Sequence, residues 1–368
     1  MRTAVLSDLH LGRLVGGDLL RHPVPRSRLL DVLGDLDRLV ILGDVLELRE
    51  IRTGDAVSLA RPLFSELGKA LPAGAEVVVV AGNHDYILAR PLLRRVPRRR
   101  LGLEQTAPAD PDGPLGPLAE ALGPVRLTLA YPGLWLRPDV YAIHGHWLDA
   151  HAGGRRFENR VIAKFERRLP LPDRATPRHY ERISAPLYRV ANLFLTGAGR
   201  TRGHWGLGLF GRLTGRIRGR KAQGADTGKT SPPPTRSESS SPVARGASAT
   251  ASAPSAPPPK AVAGQRALRA MTEVVAHLQI DAQHVLFGHT HRAGPLPGDD
   301  PDAWHTSTGP RLVNLGSWVY EHASPGIEPA SPYWPGRLVL LDDADPPKLV
   351  GLLDDLPAER WEASGHEP

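Results

Sequence analysis

The sequence predicts an α/β domain built on a sheet of mixed strand direction, and three observations carry that expectation. Short runs rich in Val, Leu and Ile recur at 3–6, 38–42, 76–81, 140–143, 284–287, 311–315 and 337–341. Their length and β-branched content suit buried strands better than helices. Helix-like patterns lie between several of them, the alternation expected of an α/β core. Five of the runs are followed at once by Asp, Glu, Asn or His side chains. In an open α/β sheet the carboxyl ends of parallel strands converge on one crevice.

The strands 3–6, 38–42 and 76–81 are separated by helix-like stretches at 28–37 and 56–71. Pro72 and Gly74 close the second of these. The later runs are predicted to add mixed or antiparallel pairing. Residues 149–220 break the alternation with an Arg-rich insertion, helical at 158–168 and 186–195. Residues 221–265 are a Pro/Ser/Ala/Gly tract with almost no large apolar side chains, too little to offset the entropy of ordering, and are predicted to be a disordered linker. Helical character resumes at 266–278, directly before the run 284–287. The expected organisation is therefore one catalytic domain from 1–148 and 266–356, with the insertion as a cap and 357–368 as a tail.

Composition narrows the chemistry. The chain of 368 residues holds no cysteine, which excludes disulfides, thiolate nucleophiles and sulfur-ligated zinc. A net charge of +7 favours anionic partners, whether phosphorylated small molecules, nucleic acid or acidic lipid. The N-terminus has no signal-like apolar segment, and no stretch approaches the roughly 20 apolar residues of a membrane span. These features predict a cytoplasmic protein. The Leu-, Trp- and Arg-containing stretch within 155–220 suits peripheral contact at the inner membrane surface.

The strand ends supply the candidate site. "SDLHLG" carries Asp8 and His10, "GDVLE" Asp44 and Glu47, "GNHD" Asn83, His84 and Asp85, "HGHW" His144 and His146, and "GHTH" His289 and His291. Alternate residues of an extended segment point the same way, so Asp8 with His10, and His289 with His291, are expected to address a common position. Glycines before Asp44, Asn83 and His289 let the backbone turn or approach closely. A donor set of carboxylate, amide oxygen and imidazole suits Mn²⁺, Fe or Zn²⁺ and argues against Mg²⁺ or Ca²⁺ alone. Seven candidate ligands (Asp8, His10, Asp44, Asn83, His144, His289 and His291) exceed what one ion takes. Two divalent ions bridged by Asp44 are therefore expected, sharing a water that they acidify. Of the pair in "HGHW", His144 is the expected ligand and His146 a supporting or alternative group. Glu47 is expected to support a ligand rather than to be one.

The ordered set "SDLHLG…GDVLE…GNHD…HGH…GHTH" resembles the calcineurin-like metallophosphoesterase superfamily. The resemblance implies two mixed sheets packed as a sandwich flanked by helices, and hydrolysis of phosphate esters or pyrophosphates. It implies Asp8, His10 and His291 at one ion, Asn83, His144 and His289 at the other, and Asp44 between them. It further implies that His84 contacts the phosphate and protonates the leaving oxygen, and that Asp85 orients His84 and raises its pKa. "GDVLEL" and "GNHDYILAR" are similar to the UDP-2,3-diacylglucosamine pyrophosphatase branch, whose cap the insertion would match. That branch carries Arg where His84 stands and Asp where His146 stands, so the resemblance does not select its lipid substrate. "NLGS" fits a family stretch too, giving Asn314 and Ser317 a packing role first and a substrate contact second.

The function predicted is hydrolysis of a phosphodiester or pyrophosphate in a phosphorylated or nucleotide-linked substrate. A phosphomonoesterase or a nuclease on the same fold is the alternative. A basic nucleic-acid-binding protein with a structural metal site is the reading from another class.

Overall fold

A computed structural model describes residues 1–14, 17–96, 101–152, 170–198, 259–320 and 328–357. The predicted runs are strands β1 (Thr3–Leu6), β2 (Arg38–Leu42), β3 (Glu76–Val80), β6 (Val140–Ile143), β7 (His284–Phe287), β9 (Arg311–Leu315) and β10 (Arg337–Leu341). Four further strands have no counterpart in the sequence pattern: β4 (Glu104–Pro108), β5 (Arg126–Arg137), β8 (Ala293–Gly294) and β11 (Lys348–Gly351). β4, β8 and β11 are short and lack a buried apolar run, while β5 carries Pro132 and Gly133, which sequence rules read as punctuation.

The expectation of two sheets is corrected in one respect. The described strands form one hydrogen-bonded sheet in the order β11-β10-β1-β2-β3-β5-β6-β7-β9-β8, with β4 added on β5. The two layers are halves of that sheet. The first part of β5, Arg126–Ala130, pairs in parallel with β3, and its second part, from Gly133 to Arg137, pairs antiparallel with β6. Val5, Val40, Val78 and Val80 from one half share a buried cluster with Leu134, Val140, Leu286 and Val313 from the other. The sheet thus folds over at β5 and buries its inner face against itself.

That fold-over decides where the strand ends meet. β1, β2, β3 and the first part of β5 run parallel, as do β6, β7 and β9. Val80 lies opposite Ala130 and Ile143 opposite Gly133. The carboxyl ends of β3 and β6 therefore arrive a short step apart on one strand, although Val80 and Val140 are 60 positions apart in the sequence.

Helices cover the outer faces. α2 (Thr53–Ala70) buries Ala56, Ala60, Leu63, Phe64 and Leu67 at helical spacing. α1 spans Pro23–Leu30, not the predicted 28–37. Pro23 and Pro25 sit in its first turn, where a missing N–H costs nothing, and the chain turns after Leu30. α3 is Arg90–Arg95 and α4 Gly116–Leu122. Within the insertion the predicted helix at 186–195 belongs to a longer helix, α5 (Pro177–Ala198). The predicted helix at 158–168, the tract 221–258 and the tail 358–368 lie outside the described residues. α6 runs Pro259–Leu278, so residues 259–265 of the predicted linker are helical. Between β6 and α5 a 3₁₀ turn, His146–Ala150, carries Trp147, whose ring stacks on Tyr180 of α5 at 5.0 Å and 12°.

Candidate dinuclear metal centre

Left-handed backbone, not extended chain, aims the ligands. Asp8, His10, Asp44, His289 and His291 all have positive φ, between 46° and 66°. This corrects the alternation argument for the pairs Asp8/His10 and His289/His291. Each such residue costs roughly 1–2 kcal/mol of backbone strain, least for Asp and His, and the surroundings hold it there. Asp8 N–H donates to the Gly43 carbonyl at 3.1 Å and His10 N–H to the Asp44 carbonyl at 2.8 Å. His289 N–H donates to Asp8 Oδ2 at 2.9 Å, and His84 N–H to Asp44 Oδ1 at 2.8 Å.

The glycines make the close approach physical. Gly43 has φ +86°, and a Cβ there would lie 2.1 Å from His144 Nδ1. A Cβ at Gly82 would meet Asp44 Oδ1 at 2.2 Å, and one at Gly288 would meet Ser7 Oγ at 2.1 Å and Asp8 Oδ2 at 2.4 Å.

All seven predicted ligands converge. Asp8, His10 and His291 form one group of potential ligand atoms, His10, Asp44 and His84 a second, and Asp44, His144 and His289 a third, each with atoms within 4.8 Å of one another. Asn83 Oδ1 joins the third, 3.1 Å from His144 Nε2 and 3.1 Å from His289 Nδ1. Asp44 Oδ2 stands 3.7 Å from His10 Nε2 and 3.3 Å from His144 Nε2, between the two ends of the cluster. Asp8 Oδ1 is buried with no hydrogen-bond partner among the described residues, yet His291 Nε2 lies 3.5 Å from it and His10 Nε2 3.8 Å. A buried carboxylate oxygen facing imidazole nitrogens, with oxygen and nitrogen donors throughout, fits a pair of divalent cations.

Burial opposes the charges of Asp8, Asp44 and His144, and mutual attraction overrides it. Burial would raise Asp8, but His144 and His291 pull it down to about 2. The same opposition leaves Asp44 well below the usual carboxylate range, held by His144 and His84. Burial would lower His144, but Asp44 and Asp8 raise it to about 10.

The carboxylate beside His84 is Glu47, which corrects the role expected of Asp85. Glu47 accepts from His10 Nδ1 at 2.8 Å and lies 2.7 Å from His84 Nδ1. Asp85 turns inward and accepts backbone N–H groups of Val45 and Gly82, each at 2.7 Å. It braces the loops after β2 and β3, and burial together with the nearby Asp44 raises it to about 7. His84, a quarter exposed, is lowered rather than raised: burial, with help from the charge of Arg49, outweighs Asp44.

His146 is not a ligand in this arrangement. It is buried among Tyr131, Trp147 and Tyr188, with ring centroids at 6.5, 5.8 and 5.3 Å, and burial lowers it far below its ordinary value. Asn314 braces the 288–291 loop, donating to Thr290 Oγ1 at 2.8 Å and accepting from Gly316 N–H at 3.0 Å. Ser317 faces the backbone of Val319. Both are buried, which leaves them the packing role.

Four contacts had no signal in the sequence. Asp149 Oδ2 lies 3.1 Å from His289 Nε2. Glu181 of α5 accepts from the Tyr86 hydroxyl at 2.5 Å and also from that of Tyr131. The guanidinium of Arg49 sits over the Tyr188 ring at 5.7 Å.

Residues 1–185 match the family model described as calcineurin-like phosphoesterase, and the chain belongs to that family. It is thus a metal-dependent phosphoester hydrolase, and the family works with a dinuclear divalent-metal centre. Among curated proteins none matches this chain. Two solved structures are similar to it. One is a dimetal phosphatase from Danio rerio, 14% identical, covering 92% of this chain and 95% of its own, with a TM-score of 0.31. The other is a cold-active protein-tyrosine phosphatase of a psychrophilic Shewanella species, also 14% identical, covering 93% and 75%, with a TM-score of 0.31. At those values the assignment rests on the family match and the ligand geometry.

Proposed function

We propose that this protein hydrolyses a phosphodiester or pyrophosphate bond in a phosphorylated or nucleotide-linked small molecule. The observation that carries the reading is the placement of Asp44 between Asp8/His10/His291 and Asn83/His144/His289, with His84 at its edge. Those seven side chains would hold two divalent ions, Mn²⁺ being favoured by the mixed oxygen and imidazole donors. Bound there, the ions supply Lewis-acid stabilisation of charge on phosphoryl oxygens and lower the pKa of water.

The chain's own residues do the rest. Glu47 holds the Nδ1–H of His84 and leaves Nε2 on the far side of the ring for a phosphoryl or leaving-group oxygen. The lowered pKa of His84 keeps that nitrogen an acceptor at neutral pH in the metal-free protein, so the general-acid role requires a negatively charged phosphate to favour the imidazolium. The local similarity of "GDVLEL" and "GNHDYILAR" to a pyrophosphatase branch supports the same reading.

With Mn²⁺ present, Asp44→Asn is expected to abolish nearly all hydrolysis of bis-p-nitrophenyl phosphate; wild-type turnover in that variant refutes the bridging role. Labelled DNA in the same assay separates the nuclease reading, which the net charge of +7 supports, from a small-molecule hydrolase. Cytoplasmic location and peripheral membrane contact through 155–220 are proposed on the sequence alone. Among the described residues no helix is long and apolar enough to cross a membrane.

A further inference from the structure

Each inward-facing imidazole can present only one nitrogen to a cation, and the partner of its other nitrogen decides which. His10 gives Nδ1 to Glu47, which leaves Nε2 towards Asp8 and Asp44. His144 gives Nδ1 to the Leu42 carbonyl at 2.9 Å, which leaves Nε2 towards Asn83 and Asp44. His289 is reversed: Nδ1 faces Asn83 Oδ1, and Nε2 faces Asp149 Oδ2 at 3.1 Å. Asp149 lies outside all five strand-end motifs, on the 3₁₀ turn His146–Ala150.

We propose that Asp149 is a positioning residue of the second ion site. It accepts the Nε2–H of His289 and so fixes the ring in the tautomer and orientation that turn the Nδ1 lone pair towards Asn83, His144 and Asp44. The inference rests on the dinuclear reading above and extends it to a residue that the motifs do not include.

The support of Asp149 is itself built. Its side chain is 11% exposed and its turn is pinned from the insertion side. Trp147 stacks on Tyr180 of α5, and His151 Nε2 hydrogen-bonds to the Tyr180 hydroxyl at 2.9 Å. The insertion thereby reaches the centre through one carboxylate, as the loop after β2 does through Glu47. Carboxylate partners of metal-bound imidazoles are worth about 10–100-fold in metal affinity, so the contribution is measurable.

The test uses the full chain and Mn²⁺ alone. Calorimetric titration of the wild type is expected to show two equivalents. Asp149→Leu is expected to bind the second about 10–100-fold more weakly and the first unchanged. Asp149→Asn, whose carbonyl still accepts, should fall between them. In the metal-free protein ¹⁵N NMR should show His289 protonated at Nε2, and Asp149→Leu should redistribute that proton between the two nitrogens. Wild-type affinity for both equivalents in Asp149→Leu overturns the proposal. So does equal weakening of both steps with a matching fall in Tm, which marks a merely structural residue. Should Asp149→Leu fail to fold, an unchanged second equivalent in Asp149→Asn overturns it as well. A wild-type chain that takes up no Mn²⁺ sinks the dinuclear reading instead, while the NMR tautomer still judges Asp149.

Discussion

Glu47 joins two imidazoles, those of His10 and His84. Glu47→Gln keeps an acceptor but removes the charge. It is expected to weaken the first Mn²⁺ equivalent about 10–100-fold, measured by calorimetry. His144 contributes one part of the pH dependence. Its folded pKa is raised to about 10, so its ion pair with Asp44 stabilises the metal-free protein fully below its ordinary value of 6.5. That contribution is lost as pH rises through about 10. An ion entering at Asn83, His144 and His289 must displace the same proton. Mn²⁺ affinity for that position is therefore expected to rise with pH between 6.5 and 8.5, approaching about tenfold per unit for one proton released. Titrations in buffers of different ionisation enthalpy count that proton, and a pH-independent affinity would contradict the assignment.

At the level of elements, glycines and helix α5 decide whether the ligands reach their places. Gly43→Ala sets a Cβ against the imidazole of His144, and Gly288→Ala sets one against Asp8. Gly43 also has positive φ, so its variant adds backbone strain of about 1 kcal/mol to the clash. Both variants are expected to lose Mn²⁺ binding out of proportion to any fall in Tm. Gly34→Ala, where a Cβ meets nothing within 4 Å, serves as the neutral comparison. α5 is held by Glu181, which accepts from Tyr86, two residues beyond His84, and from Tyr131 of β5. Glu181→Ala leaves two largely buried phenols without that acceptor, at a cost of about 1–3 kcal/mol each if water does not replace it. A lower Tm should follow, with Tyr86→Phe recovering part of the loss in the double variant.

For the whole molecule, the candidate ligands come from the ends of β1, β2, β3, β6 and β7, in both halves of the folded sheet. Ions that bind only the folded chain stabilise it by mass action, by about 2.7 kcal/mol at a hundredfold excess over Kd. Thermal unfolding is expected to move upward with Mn²⁺ and return on chelation. Asp44→Asn should lose most of the shift, because it removes a charge shared by both positions.

The sequence by itself determined the seven candidate ligands and the seven strands before or around them, because each motif is local: an apolar run, a glycine or short turn, then a polar donor. It also determined the family, since the order of the motifs survives linear reading. Tertiary structure alone decided the rest. The reversal at β5 and the single folded sheet depend on pairings across the chain that no window of residues displays. Glu47 rather than Asp85 behind His84, and Asp149 behind His289, depend on which loops the folded sheet brings within hydrogen-bond reach. A carboxylate 140 positions from its imidazole leaves no pattern in sequence, because only the direct parallel pairing of β6 with β7 puts the two 3.1 Å apart.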